Sequence, residues 1–273
     1  FLLPLLEGLS VEAHRTAALF LLLGVWWATE AVPVAVTALV PLALFPLLGI
    51  VDIQDAANPY ANKTIYLFFG GFLIATAIQK WDLHKRIALF VLENAGSNGA
   101  SLIFGFMLTA AVISMWVMNT ATTIMLLPIG LAVVSVVKTT VNYLSEEDIE
   151  SFQLALLLGI AYGATIGGMS TLIGTGPNGM LAAFMADNYD LDISFVDWMK
   201  VGVPLSAVML PCSWFILTKV IFKVNFETSS ETRDLLSTMK NELGEFQGPE
   251  LKVLIVFFLT ALAWMFRTVL DNY

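Results

Sequence analysis

The chain has 273 residues, 58% of them hydrophobic and only 13% charged, with 13 Lys and Arg against 22 Asp and Glu. A water-soluble domain carries about 25% charged and about 45–50% apolar residues, so this composition excludes water as the solvent for most of the surface. Blocks of consecutive apolar residues of about 20, the length that crosses a hydrocarbon core of roughly 30 Å, point instead to an all-α polytopic membrane protein; a spanning β-barrel would alternate.

In chain order, Phe1 to Leu6 reads as the tail of a helix whose beginning precedes this sequence, not as a signal peptide. Residues 14–50 are too long for one crossing and predict a helical pair bent near Pro33, because proline ends or kinks a helix. Glu30, the one acid deep in this early stretch, is expected to cap a helix. A polar segment, 51–63, precedes a crossing over 64–79; Asn62-Lys63-Thr64 within it matches a glycosylation triplet by chance. Lys80 to Arg86 leads into a short amphipathic helix, 87–94, expected at the membrane interface. Residues 99–137 form two apolar arms around Asn119-Thr120-Ala121-Thr122-Thr123. The crossing over 152–187 is broken by a glycine-rich run. An acidic loop over 187–200, a helix over 201–222 with Pro204 and Pro211, an interfacial amphipathic connector over 223–250 and a last helix over 251–270 complete the series. His14 and His84, the only histidines, lie near helix ends and are expected at the interface. The single cysteine, Cys212, leaves no disulfide framework. The acids fall mostly between apolar blocks and read as solvated loops.

With 14–50 as a hairpin and 99–137 going in and returning, one face collects nine of the basic residues: Lys80, Lys85, Arg86, Lys138, Lys219, Lys223, Arg233, Lys240 and Lys252. The other collects Arg15, Lys63, Lys200 and Arg267. The first face is therefore expected in the cytoplasm. The parity is the same whether 99–137 is re-entrant or two full crossings.

Two segments carry candidate chemistry. Ser114 and Asn119 to Thr123 stand at the turning point of a long apolar segment, where unsatisfied polar groups cost several kcal/mol. A helix starting near Ala121 would point free amides at this tip, a ready anion site, while the end of the first arm offers carbonyls to a cation. For Thr122 and Thr123, bonding to neighbouring helices is an equally admissible reading. The second segment, Gly163 to Asn178, holds five glycines and Pro177, poor helix formers. Gly163, Gly167 and Thr171 have the spacing of close helix packing, whereas Gly174-Thr175-Gly176-Pro177-Asn178 predicts an unwound, discontinuous helix of the kind that builds midplane sites in secondary transporters. Neither segment contains an acid or a histidine, which suits a monovalent cation held by neutral oxygens and a carboxylate held by neutral donors. Proton relays use Asp, Glu or His within helices, and an enzyme would need an acid, base or nucleophile constellation that neither segment has.

These residues resemble the divalent anion:sodium symporter family, carriers of succinate, citrate and related carboxylates. The matching pieces are Trp26 to Pro33, Trp81 to Leu89, Ser114-Met115-Trp116 with Asn119 to Thr123, and the run ending Thr171 to Asn178. The resemblance implies the first of two inverted repeats, with a re-entrant helical hairpin and a broken transmembrane helix. It divides the chain into scaffold-type helices with the interfacial helix (1–94), a transport-type region with hairpin 99–137 and broken helix 152–187 (95–190), and a scaffold helix, amphipathic connector and start of a second repeat (191–273). It further implies a homodimer in the cell membrane, working by an elevator motion on a small carboxylate, with no nucleic-acid partner. Carried over by position, Ser114, Asn119 and Gly167, with backbone near Gly174, are similar to the family's first sodium site, in which Met118 occupies a ligand position. Asn119 and Thr120, with Thr175 and Pro177, are similar to substrate-binding positions, and Thr171, Gly176 and Asn178 belong to the broken loop.

The sequence departs from the family at two places. Met118 stands for a serine, a thioether in place of a hydroxyl, and Gly176 stands for a proline, which is expected to loosen the broken loop. The first expectation is therefore sodium-coupled uptake of di- or tricarboxylates; the alternative is a transport-deficient member acting as a membrane sensor or assembly component. The sequence reads as one portion of a longer chain, with a second Asn-Thr tip in inverted topology expected beyond Tyr273.

Overall fold

The computed structural model describes residues 8–96 and 98–266. The expectations for Phe1 to Leu6, for Arg267 and for the end of the last helix fall outside the described residues. Among those residues no β-strand occurs; one isolated bridge pairs Asn98 with Glu227. Among the described residues five helical runs are long and apolar enough to cross a membrane: Ile53–Lys80, Asn119–Thr140, Glu146–Gly168, Phe195–Ile221 and Gly248–Met265.

The chain divides into two compact units, Phe1–Ile65 and Tyr66–Tyr273. In the first, α1 (Val11–Thr29) and α2 (Val34–Leu47) are separated where the sequence predicts the bend. Pro33 stands immediately before α2, where a missing N–H costs nothing, and Glu30 closes α1 as its C-cap with a φ of 49°. Glu30 thus caps a helix through its left-handed backbone, a conformation more often taken by Gly or Asn. The Arg15 guanidinium donates to the Leu48 carbonyl at the far end of the pair, and Tyr60 Oη donates to Ala38 O at 2.6 Å. The segment expected to be merely polar contains the short helix α3 (Ile53–Ala57) and a 3-10 turn, Asn58–Ala61.

α4 (Lys63–Lys80) ends at a left-handed Asp82, after which α5 (Leu83–Glu93) starts four residues earlier than the pattern predicts. That early start corrects the reading of His84 as an interface residue. Its side chain is buried, with Nδ1 3.1 Å from Ile78 O, and burial holds its imidazole below the usual pKa. The second unit is organised around α6 (Gly99–Ser114), α7 (Asn119–Thr140) and α8 (Glu146–Gly168). Asn98 and Ser145 accept N–H bonds in the first turns of α6 and α8, as good N-caps do. Phe106, Met107 and Ala110 of α6 are buried against Phe152, Leu156, Ile160 and Ala164 of α8, and Val133 and Val137 of α7 complete this core.

The closeness of α6 and α8 follows from glycine. A Cβ at Gly163 would lie 2.5 Å from Met107 O, and one at Gly167 would overlap Ala111 O. The small-residue spacing read from sequence is thus a backbone-to-backbone contact over Gly163 and Gly167, and it carries the chain to the break.

After α9 (Gly176–Tyr189) come α10 (Phe195–Phe215), α11 (Ser230–Glu242) and α12 (Gly248–Met265). α10 begins inside the expected acidic loop, because Ser194 caps it by accepting the Asp197 N–H, and it runs on as a π-helical turn over Ile216–Ile221. α11 is the expected amphipathic connector. Arg86 of α5 ties it to α12 by donating to Leu243 O, Gly244 O and the Glu250 carboxylate, the last at 3.1 Å. Large apolar side chains stand exposed along α1, α2, α4, α10 and α12, far beyond the patches soluble monomers tolerate.

Gly167→Ala places a methyl inside the α6 backbone, with no flexible side chain to yield. Its expected cost is on the order of 3 kcal/mol, read as a large loss of thermal stability in detergent, whereas Gly176→Ala, whose Cβ meets open space, is expected to be nearly neutral.

Candidate functional site

The link between α6 and α7 is four residues, Met115 to Met118, and the break between α8 and α9 is seven, Met169 to Thr175. The structure brings them together. Thr171, fully buried, donates its hydroxyl to Met115 O at the tip and accepts the Gly174 N–H at 3.1 Å, so one side chain clasps both irregular segments. Gly168 lies so close to Asn119 that a Cβ there would overlap the Asn119 amide oxygen.

The carbonyls freed where α8 ends are satisfied individually. Asn178 Nδ2 donates to Gly168 O at 2.9 Å and to Thr171 O at 2.7 Å, so the first turn of α9 closes the end of α8. Trp198 Nε1 donates to Met169 O at 3.0 Å and Ser206 Oγ to Ile166 O at 2.8 Å. Trp198 and Ser206 had no role in the sequence reading, and Gly168 entered it only as one of the five glycines of the second segment. The signal for Trp198 was an indole N–H near an apolar helix start, since a buried Trp needs an acceptor.

The tip itself is an oxygen cluster. Ser114 Oγ, buried, lies 2.7 Å from Asn119 Oδ1 and 3.3 Å from Val117 O. Asn119 is the first residue of α7, two earlier than expected, so the helix end lies at the asparagine itself. The N-cap of α7 is Met118, half exposed, which makes no side-chain cap; the N-cap of α9 is Thr175, likewise without one. The start of α7 therefore keeps free N–H groups, whereas at α9 Pro177 has none and the Asn178 N–H bonds to Thr175 O, which leaves that of Gly176; both ends keep the positive end of the helix dipole. Thr120 is exposed beside the first, and Gly176 and Pro177 beside the second. Thr123 bonds to Asn119 O within its own helix, as a structural hydroxyl does, while the buried Thr122 Oγ1 has no partner. Gly167 O accepts the Ser170 N–H, and Gly174 is buried in the loop. Despite Gly176, the break is pinned by Thr171 and Asn178. Trp116 holds the tip from the other side, edge-on to Phe257 at 4.9 Å and stacked on Phe195 at 6.1 Å.

Residues 1–272 match the family described as the sodium:sulfate symporter transmembrane region. The chain belongs to that family, the divalent anion:sodium symporters. It is 36% identical over 96% of its length to a sodium-dependent dicarboxylate transporter, SdcS, of Staphylococcus saprophyticus, covering 50% of that protein. It is 35% identical over 98% of its length to the SdcS of Staphylococcus aureus strain RF122, covering 52%. The chain spans about half the length of the curated relatives it matches. Membership, with the five apolar helical runs, places it among multi-pass membrane proteins.

Asn178→Ala leaves the carbonyls of Gly168 and Thr171 without their donor, at about 1–3 kcal/mol each. A protein whose break is held this way should lose several degrees in detergent melts on Asn178→Ala, and less on Asn188→Ala, whose amide bonds only within α9 at an exposed position.

Proposed function

We propose that this chain forms one half of a secondary active transporter that couples sodium movement to uptake of small dicarboxylates. The observation that carries this reading is the meeting of two uncapped helix N-termini with a cluster of neutral oxygens at Ser114, Val117 and Asn119. The relatives, named as sodium-dependent dicarboxylate transporters, support it. A sodium ion would take Asn119 Oδ1, Ser114 Oγ and Val117 O as ligands, once the Ser114 hydroxyl turns its proton away from Asn119. Neutral oxygens suit it, because a carboxylate there would favour divalent ions or protons. Bound sodium fixes the start of α7, whose N–H groups and Thr120 hydroxyl then donate to one substrate carboxylate, with the Thr175 hydroxyl and the Gly176 N–H beside Pro177 as a second donor set. Each half-helix dipole contributes to holding the anion.

In this proposal α6 and α7 are the re-entrant hairpin and α8–α9 the broken helix of one inverted repeat; residues 95–190 move as the transport region against scaffold helices of a homodimer, by an elevator motion. The matching repeat supplies the second sodium site and the rest of the pocket. Met118 occupies the position where a serine would add a further hydroxyl to the sodium shell; its exposed thioether is a poorer ligand and lowers sodium affinity without blocking the site.

In proteoliposomes holding the full-length protein, dicarboxylate uptake should rise steeply with sodium, and Asn119→Ala should abolish it. Met118→Ser should lower the sodium concentration for half-maximal uptake by about tenfold, the worth of one added bond to a charged group. Uptake that proceeds equally without sodium contradicts the coupling.

A further inference from the structure

Little joins the tip to the break. Among the described residues a single hydrogen bond runs between them, from the Thr171 hydroxyl to Met115 O. The rest is close contact: a Cβ on Gly168 would overlap the Asn119 amide oxygen, and a Cβ on Gly174 would overlap Gly168 O. Asn119 therefore bears directly on the Gly168 backbone, and Gly168 on Gly174. Thr171 also fixes the break from inside. Its hydroxyl accepts the Gly174 N–H at 3.1 Å, and its carbonyl accepts Asn178 Nδ2 at 2.7 Å. Asn178 lies in the first turn of α9, so that turn is positioned by Thr171 and by Gly168, whose carbonyl takes the other Asn178 bond at 2.9 Å. A threonine hydroxyl has one proton to give. Thr171 spends it on Met115 and keeps its lone pairs for Gly174, and its full burial leaves no water to replace either bond.

The donors that the break offers stand next to this clasp. Thr175 is the N-cap of α9 without a side-chain cap, and the Gly176 N–H is left over beside Pro177. Neither the Thr175 hydroxyl nor the Gly176 N–H is held by a bond of its own. Their placement follows from Gly174 on one side and Asn178 on the other, and Thr171 holds both.

We infer that Thr171 is the positioning residue through which an ion at Ser114, Val117 and Asn119 sets the Thr175 and Gly176 donors at the start of α9. This role rests on the tip as the sodium site and adds the second donor set, which supplies no ligand to that ion in the proposed shell. Sodium fixes Asn119 and the link that carries Met115. Asn119 presses on Gly168 while Met115 holds Thr171, and the two together fix Gly174 and Asn178. Coupling between two sites needs an element that both of them bias, and it is reciprocal. A carboxylate on Thr175 and Gly176 therefore tightens the tip for sodium by the factor with which sodium tightens the carboxylate. A clasp serving stability alone would lower the melting temperature of its variants and leave that factor unchanged.

The test uses the full-length protein in nanodiscs. In hydrogen exchange without dicarboxylate, sodium chloride should slow exchange, relative to choline chloride, in peptides covering Ser114 to Thr120 and also in those covering Met169 to Gly176. Succinate affinity should rise about tenfold between low and saturating sodium, a usual size for coupled sites. Thr171→Val removes both hydroxyl bonds at nearly the same shape. It should keep the sodium protection at the tip, lose it at the break, and bring the affinity ratio to within about threefold of one. Thr171→Ser retains the hydroxyl and should restore both. Protection confined to the tip in the unaltered protein overturns the role of Thr171 even where Thr171→Val does not fold. So does protection of the break, or an affinity ratio, that survives Thr171→Val, and so does a Thr171→Val protein that loses the sodium response at the tip as well. An unaltered protein whose tip shows no sodium protection contradicts the sodium site itself, and the role of Thr171 with it.

Discussion

A peptide group without a hydrogen-bond partner is costly in an apolar interior, and the second unit is built around that cost. It interrupts its helices twice, between Ser114 and Asn119 and between Gly168 and Gly176. It then places the two interruptions against each other, so that each satisfies part of the other. Thr171 serves both loops, and Asn178, Trp198 and Ser206 take the carbonyls that α8 releases. What the interruptions leave is one-sided: N–H donors at the start of α7 with that of Gly176 at α9, beside neutral oxygens that only the Ser114 hydroxyl engages. A surface that keeps donors for an anion beside oxygens for a cation is suited to binding the two together.

The position of this surface is set by packing. Gly163 and Gly167 let the α8 backbone rest on Met107 and Ala111 of α6, one turn before Ser114. The same glycines that weaken a helix therefore fix the register that brings Gly168 to Asn119. Rigidity at the glycine contact and openness at the helix ends are adjacent features of one helix pair.

Much of this was legible in the sequence. Long apolar blocks with polar or proline interruptions marked the α1–α2 bend, the tip and the break, because composition at those points conflicts with a continuous apolar helix. The helix starts were less legible. α5, α7 and α10 all begin earlier than periodicity predicts; of their N-cap residues Asp82, Met118 and Ser194, only Ser194 caps with its side chain, so an apolar stripe does not mark these starts. His84 was misplaced for the same reason: an early helix start turns a residue expected at the interface into a buried one. The roles of Trp198 and Ser206 could not be read locally, because their acceptors lie 29 and 40 residues away in the chain.

The central claim is that the start of α7 faces water and receives ions. Thr120→Cys in a Cys212→Ser background tests it most directly, through the rate of labelling by a water-soluble maleimide in membranes containing the full-length protein. The account predicts ready labelling, slowed several-fold when sodium and a dicarboxylate are present together. A cysteine there that reacts only with lipid-soluble reagents, or at a rate indifferent to both solutes, would contradict it.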